Sequence, residues 1–137
     1  MSFFKDLWNT AKNTVGTVMD TANNWMKGIY TAPGSKFCGP GHPLDDAYVS
    51  EHLPGASHSG RSCYQHDKDY DNFKKQKDAG KLSDQELRNL VRESDDRLIN
   101  NLQNGPRDAA SYLSEYGIKA KKMAEDWGLL RPDQFVT

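Results

Sequence analysis

Apolar residues recur at intervals of three and four along several long stretches of this chain. Such intervals place successive side chains on one face of an α-helix, so the pattern predicts amphipathic helices. We find no run of residues that is typical of a β-strand. The sequence therefore predicts a mainly α-helical fold, and its 137 residues suit one compact domain with its own core.

The first predicted helix covers residues 3–28, and the second runs over about 61–77 and is closed by Gly80. Between them, the stretch from Tyr30 to about Gly60 has no helical period and is interrupted by several prolines and glycines. We expect a long loop there. A loop of this length in a compact domain usually carries a function.

Ser83, followed by Glu86 three residues later, is typical of the capping box that opens a helix. The buried stripe of this third helix is predicted to be Leu87, Val91, Leu98, Ile99 and Leu102. Pro106 suits the first position of a fourth helix, which ends before Gly128. Its predicted buried face comprises Ala109, Tyr112, Leu113, Tyr116, Ala120, Met123 and Trp127.

Charge and hydropathy exclude some classes of partner. The formal net charge of -1 gives no basic field for nucleic acid, so we expect no nucleic-acid partner. No run of about 18 apolar residues predicts a transmembrane helix. The N-terminus also lacks the basic and then apolar segments of a signal peptide.

The second helix carries His66, Asp67 and Tyr70. Adjacent helical positions differ by about 100°, so the histidine and the aspartate border one cleft and the tyrosine lies a turn further along. A neutral imidazole can take a proton from water, and a carboxylate can hold a hard cation that polarises an ester carbonyl. The alternative is an ordinary polar pair on a solvated helix face.

The long loop contains Phe37, Gly39 and Gly41. Calcium accepts backbone carbonyl oxygens, and a chain that turns alternate carbonyls towards one point needs residues without a Cβ. The carbonyls of these three residues would fit a calcium ion. An ordinary Gly-Pro turn is the alternative interpretation.

Together these motifs resemble the phospholipase A2 superfamily, whose calcium loop reads aromatic, any residue, Gly, any residue, Gly, and whose catalytic helix carries His-Asp followed three residues later by Tyr. The stretches GlyProGlyHisProLeuAspAsp and HisAspLysAspTyrAsp are especially similar to the phospholipase domain of parvovirus minor capsid proteins. The resemblance covers roughly residues 36–102.

The resemblance implies hydrolysis of the sn-2 ester of glycerophospholipids, with His66 activating water. It implies a Ca²⁺ cofactor bound by Asp67 and the three loop carbonyls. The implied fold has two antiparallel catalytic helices and a calcium loop, with amphipathic helices at both ends of the chain. The implied organisation is 1–30 as an N-terminal amphipathic helix, 31–128 as the phospholipase A2-like domain and 129–137 as a loose C-terminal tail.

The family also needs a second aspartate that holds the histidine, and Asp95 and Asp96 compete for this role. Asp95 shares a helical face with the predicted apolar stripe, so we expect it to face the core and to pair with His66 and the Tyr70 hydroxyl. A solvated position for both aspartates is the alternative. The family often adds another tyrosine to this network, and none lies between Tyr70 and Tyr112.

Cys38 and Cys63 fall where secreted members of the family place one disulfide, so the resemblance implies that they form a bridge. The spacing from Gly41 to His66 is longer than the family usually has. A structural zinc site is the rival interpretation of the two cysteines with His42, His52 and His58, although their spacing does not repeat that of common zinc modules.

The N-terminal helix has an apolar face, which is formed in part by Phe4, Trp8, Trp25 and Met26. This face would pack against the domain or a partner helix, or lie in a phospholipid membrane surface. The absence of a recognisable signal peptide and the resemblance to parvovirus capsid motifs favour a virion or extracellular location. They also favour a viral capsid or another protein assembly as partner, and membrane breaching during viral entry as the role. The alternative function is a catalytically silent module that binds membrane or protein.

Overall fold

The computed structural model describes residues 46–133 and 136. These residues are mainly α-helical, which confirms the predicted class for this part of the chain. The helices are α1 (Asp46–His52), α2 (His58–Asp78), α3 (Asp84–Asn104) and α4 (Ala109–Asp126). Predictions that lie outside the described residues concern the helix at 3–28 with Phe4, Trp8, Trp25 and Met26, the loop residues Phe37, Gly39 and Gly41, and Cys38.

The short helix α1 corrects the prediction of an irregular stretch up to about Gly60. Its seven residues include neither proline nor glycine, so a helical turn can form between the flanking Pro43 and Pro54. Tyr48 and Val49 of α1 pack against the buried core of the longer helices. The helix therefore covers one end of that core.

Helix α2 begins three residues earlier than predicted because Ser57 caps it. The Ser57 hydroxyl accepts a hydrogen bond from the backbone N–H of Gly60 at 3.1 Å. At the other end Gly80 has a φ of 74°, a left-handed conformation that favours glycine and stops the helix, as the sequence predicts.

The capping box predicted at the start of α3 is confirmed. Ser83 and Glu86 exchange two hydrogen bonds between side chain and backbone, each 3.1 Å long. The start predicted for α4 is wrong, because Asp108 and not Pro106 opens this helix. The Asp108 carboxylate accepts a hydrogen bond from the backbone N–H of Ser111 at 2.8 Å.

Helices α2 and α3 run antiparallel. His58, at the start of α2, contacts the carbonyl of Asn101 near the end of α3, and Lys77 near the end of α2 contacts Asp84 at the start of α3. The four leucine and valine side chains of the predicted α3 stripe are buried, and Ile99 is half-buried. One buried core cluster comprises Cys63, Leu98, Leu102, Ala110 and Ile118.

The buried face of α4 agrees with the predicted one at Ala120 and, in part, at Leu113, and differs from it elsewhere. The predicted face contains the exposed Trp127, whereas the residues that are actually buried are mostly small or polar. They are Ala110, Ser111, Ser114, Glu115, Gly117, Ile118, Ala120, Lys121, Ala124 and Glu125. Because most of these residues are small or polar, large apolar residues alone do not indicate the buried face of α4.

The segment after α4 contains buried residues where the structure describes it. Leu130 and Asp133 are buried, and Asp133 forms an ion pair with Arg88 of α3 at 3.3 Å. Val136 packs against Leu87 and Val91. Within residues 46–133, no helix has both the length and the apolar character needed to cross a membrane.

Candidate active site

His66 of α2 and Asp95 of α3 form a buried pair at the centre of the structure. Nε2 of His66 lies 2.7 Å from Oδ1 of Asp95, and the two side chains are 3% and 0% exposed. The antiparallel contact of α2 with α3 places them opposite one another. A carboxylate on Nε2 fixes the tautomer and the orientation of the imidazole.

Tyr70 lies one turn after His66 and completes this arrangement. Its hydroxyl donates a 2.5 Å hydrogen bond to the same Oδ1 of Asp95. The rings of His66 and Tyr70 are in contact, with centroids 4.3 Å apart. Burial, together with the charge of Asp95, raises the pKa of Tyr70, so the phenol stays protonated as a donor.

Of the two aspartates that the sequence offers, Asp95 is the one that contacts His66. Asp96 is exposed and lies 2.5 Å from the ammonium of Lys122 on the protein surface. Burial alone would raise the pKa of Asp95, but the hydrogen bond from His66 and the charge of Lys121 lower it to about 2. The carboxylate therefore remains ionised in the interior at neutral pH.

Asp67 lies beside the pair, with Oδ1 4.0 Å from Nδ1 of His66. Its side chain is 24% exposed, and loss of contact with water raises the pKa of the carboxyl group well above its usual value. Such a carboxylate gains stability from a cation. The chemistry of this residue fits a calcium ligand.

The predicted carbonyl ligands of calcium lie outside the described residues, so the rest of the ligand set stays a prediction. Within the described part of the chain, no group of three or more histidine, cysteine, aspartate or glutamate side chains lies close enough to hold a metal ion. Asp67 would therefore need oxygen ligands from another segment to form a calcium site.

Lys121 is a functional candidate that the sequence analysis missed. It is fully buried on α4, and its ammonium donates a 2.7 Å hydrogen bond to Oδ2 of Asp95. It also contacts the Glu125 carboxylate and, at 3.3 Å, the carbonyl of Pro132. The periodic small residues Ser114, Gly117 and Ala124 are the signal that could have placed Lys121 on a closely packed face.

Cys63 is buried and disulfide-bonded. Its predicted partner, Cys38, lies outside the described residues. Because a disulfide offers zinc no thiolate, this finding removes Cys63 from the rival zinc site. His58 lies on the exposed side of α2, with Nε2 2.9 Å from the carbonyl of Asn101, and His52 lies 3.7 Å from Glu51.

Comparison with known proteins identifies no relative of this chain. The chain matches no family model, no curated protein and no solved structure. Function is therefore inferred from the side chains of the site and from the motifs of the sequence.

Proposed function

We propose that this chain is a calcium-dependent phospholipase A2, which hydrolyses the sn-2 ester of glycerophospholipids. The observation that carries the proposal is the buried contact between His66 and Asp95, supported by the Tyr70 hydroxyl. The motifs around these residues resemble those of the phospholipase A2 superfamily, and the antiparallel pairing of α2 with α3 is the arrangement that the resemblance implies.

His66 acts as the general base. Because the ionised carboxylate of Asp95 can only accept hydrogen bonds, Nε2 of His66 carries the proton and donates a hydrogen bond to it. Nδ1 is then the nitrogen that takes a proton from the attacking water. Asp95 stabilises the imidazolium that forms, and Tyr70 keeps the carboxylate in place. Nδ1 lies on the side of the ring that faces Asp67, so the base and the metal ligand border the same space.

Asp67 would hold the calcium ion together with the backbone carbonyls of Phe37, Gly39 and Gly41. A bound calcium ion would polarise the ester carbonyl and stabilise the negative charge that develops on its oxygen. The raised pKa of Asp67 supports this role, because a cation offsets the cost of an ionised carboxylate that has lost part of its water.

The biological setting is a further part of the proposal. The enzyme would act on glycerophospholipids at a membrane surface. The resemblance to parvovirus capsid motifs favours membrane breaching during viral entry. The apolar residues of the N-terminal helix remain candidates for a membrane or partner face. This setting rests on the sequence motifs alone.

The decisive assay uses mixed phospholipid vesicles with a labelled acyl chain at sn-2, and matched vesicles labelled at sn-1 as the control. We expect release of labelled fatty acid from the sn-2 vesicles with calcium, and no release after a chelator is added. Calcium binding without release would favour the catalytically silent module. If the chain neither bound calcium nor released fatty acid, the assignment would be contradicted.

A further inference from the structure

We propose that Lys121 is a positioning residue of this site, whose ammonium holds the Asp95 carboxylate in the orientation that His66 requires. The proposal rests on the proposed function in so far as it concerns catalysis. Its geometric part concerns Lys121 and Asp95 alone. No interaction of Lys121 with substrate is implied.

The two oxygens of Asp95 are bound from different helices. Oδ1 accepts hydrogen bonds from His66 and Tyr70 of α2, whereas Oδ2 accepts one from Lys121 of α4. A carboxylate that is bound at both oxygens cannot turn about its Cβ–Cγ bond without losing a charged contact. Lys121 therefore restricts the rotation that would carry Oδ1 away from the histidine.

The ammonium of Lys121 is itself fully paired. It has three N–H groups, and it contacts three acceptors, namely Asp95, Glu125 and the backbone carbonyl of Pro132. The side chain is 0% exposed. Its direction is thus fixed from both sides, which makes it a rigid support for Asp95.

Stability alone is a weak reason for this lysine. Burying an ammonium and two carboxylates costs several kcal/mol of solvation per ion, and apolar side chains of similar volume are often as stable or more so. Oε1 of Glu125 is buried, and within the described residues it has no hydrogen bond and only an ion pair with Arg92 at 3.5 Å. This weak pairing of a buried oxygen offsets part of the stability that the ion group could supply. The presence of Lys121 is better explained by its effect on the orientation of the Asp95 carboxylate.

Lys121 also accounts for the missing tyrosine of the family pattern. The sequence has no tyrosine between Tyr70 and Tyr112, which predicts a thinner network around the second aspartate. In the structure the ammonium of Lys121 supplies a donor to Asp95 from α4. We infer that this chain positions Asp95 with one hydroxyl and one ammonium.

The test compares Lys121→Met with Lys122→Met, a control on the same helix whose ammonium pairs with the exposed Asp96. Lys121→Met removes the ammonium that pairs with Asp95 and Glu125, and it leaves Glu125 with only the contact of Arg92 at 3.5 Å. The double variant Lys121→Met/Glu125→Gln, which also removes the buried charge of Glu125, is therefore measured as well. The readouts are kcat and KM on vesicles, calcium affinity, and the downfield proton NMR signal of Nε2–H of His66. Thermal unfolding shows which variants are folded.

We expect folded Lys121 variants to lose about 10- to 100-fold in kcat, the loss expected when a supporting contact no longer orients a catalytic group. KM and calcium affinity should stay within about twofold, since neither depends on Asp95 directly. The downfield signal of His66 should shift or broaden in these variants and stay unchanged in Lys122→Met.

A folded double variant with native kcat and an unchanged His66 signal would overturn the proposal. So would unfolding of both Lys121 variants, which would assign Lys121 a structural role only. If the native chain releases no fatty acid, the proposed function fails. The NMR signal then decides the role of Lys121 without any need for activity.

Discussion

Nε2 of His66 lies 2.7 Å from Oδ1 of Asp95, although the two residues are 29 positions apart and lie on different helices. Both side chains are buried, so the contact is formed away from bulk water. A carboxylate in such a place polarises and orients the imidazole more strongly than a solvated one.

The roles of the two adjacent aspartates can be separated by matched substitutions. Asp95→Asn should lower kcat by about 10- to 100-fold, because an amide holds the imidazole less firmly and does not stabilise its charged form. Asp96→Asn should change kcat by less than about twofold, since Asp96 is exposed and pairs with Lys122, away from His66. Equal losses in the two variants would contradict the assignment of Asp95.

Tyr70→Phe removes the hydroxyl that donates to Asp95. We expect the free energy of unfolding to fall by about 1.5 to 3 kcal/mol, the usual net value of a hydrogen bond to a charged group. The loss in kcat should be at most about tenfold, because Asp95 keeps its contacts with His66 and Lys121. Denaturant unfolding and vesicle kinetics measure the two effects.

A double-mutant cycle provides the control for this prediction. In the background of Asp95→Asn, the substitution Tyr70→Phe should lower the free energy of unfolding and kcat clearly less than it does in the native chain, because the charged acceptor is already gone. If the losses in unfolding free energy and in kcat were additive for the two substitutions, the Tyr70 hydroxyl would not act through Asp95.

Asp67→Asn should weaken calcium binding by at least about tenfold, because an amide oxygen lacks the charge that a hard cation prefers. Asp71→Asn on the same helix is the control, since Asp71 is exposed and pairs with Lys75. Titration calorimetry with calcium chloride measures both variants. Native calcium affinity in Asp67→Asn would remove this residue from the ligand set.

The network around Asp95 should make the fold sensitive to acid. The pKa of Asp95 is lowered from 3.8 to about 2 in the folded protein, so the folded state favours the ionised form. The stability from this group is present above pH 4 and is lost as the pH falls towards 2. It amounts to on the order of 2 kcal/mol.

The variant Asp95→Asn isolates this contribution from that of other carboxyl groups. The difference in unfolding free energy between the native chain and Asp95→Asn should shrink as the pH falls from 5 to 2. A difference that stays constant over this range would show that Asp95 is not held in its ionised form.

The sequence predicted the helical class and placed His66, Tyr70 and Asp95 on helices for physical reasons. The Ser83 capping box and the apolar period of α3 are local signals, and local signals are sufficient to locate a helix and its buried face. Asp95 could be preferred over Asp96 because it shares that face. The contact with His66 then follows from antiparallel packing.

Lys121 could not be predicted in the same way. A buried lysine becomes favourable only when Asp95, Glu125 and the Pro132 carbonyl meet around it, and these partners come from α3, α4 and the segment after α4. The buried face of α4 was also hard to recognise, because its buried residues are mostly small or polar. Helix α1 was missed since its seven residues are too few to show a period.

The central claim is tested most directly by fatty-acid release from vesicles with calcium, measured for the native chain, His66→Asn and His58→Asn. The account predicts that His66→Asn loses about 10²- to 10⁴-fold in rate, as expected for a general base. His58→Asn, an exposed histidine on the same helix, should keep native activity. Calcium-dependent release that survives in His66→Asn would contradict the account.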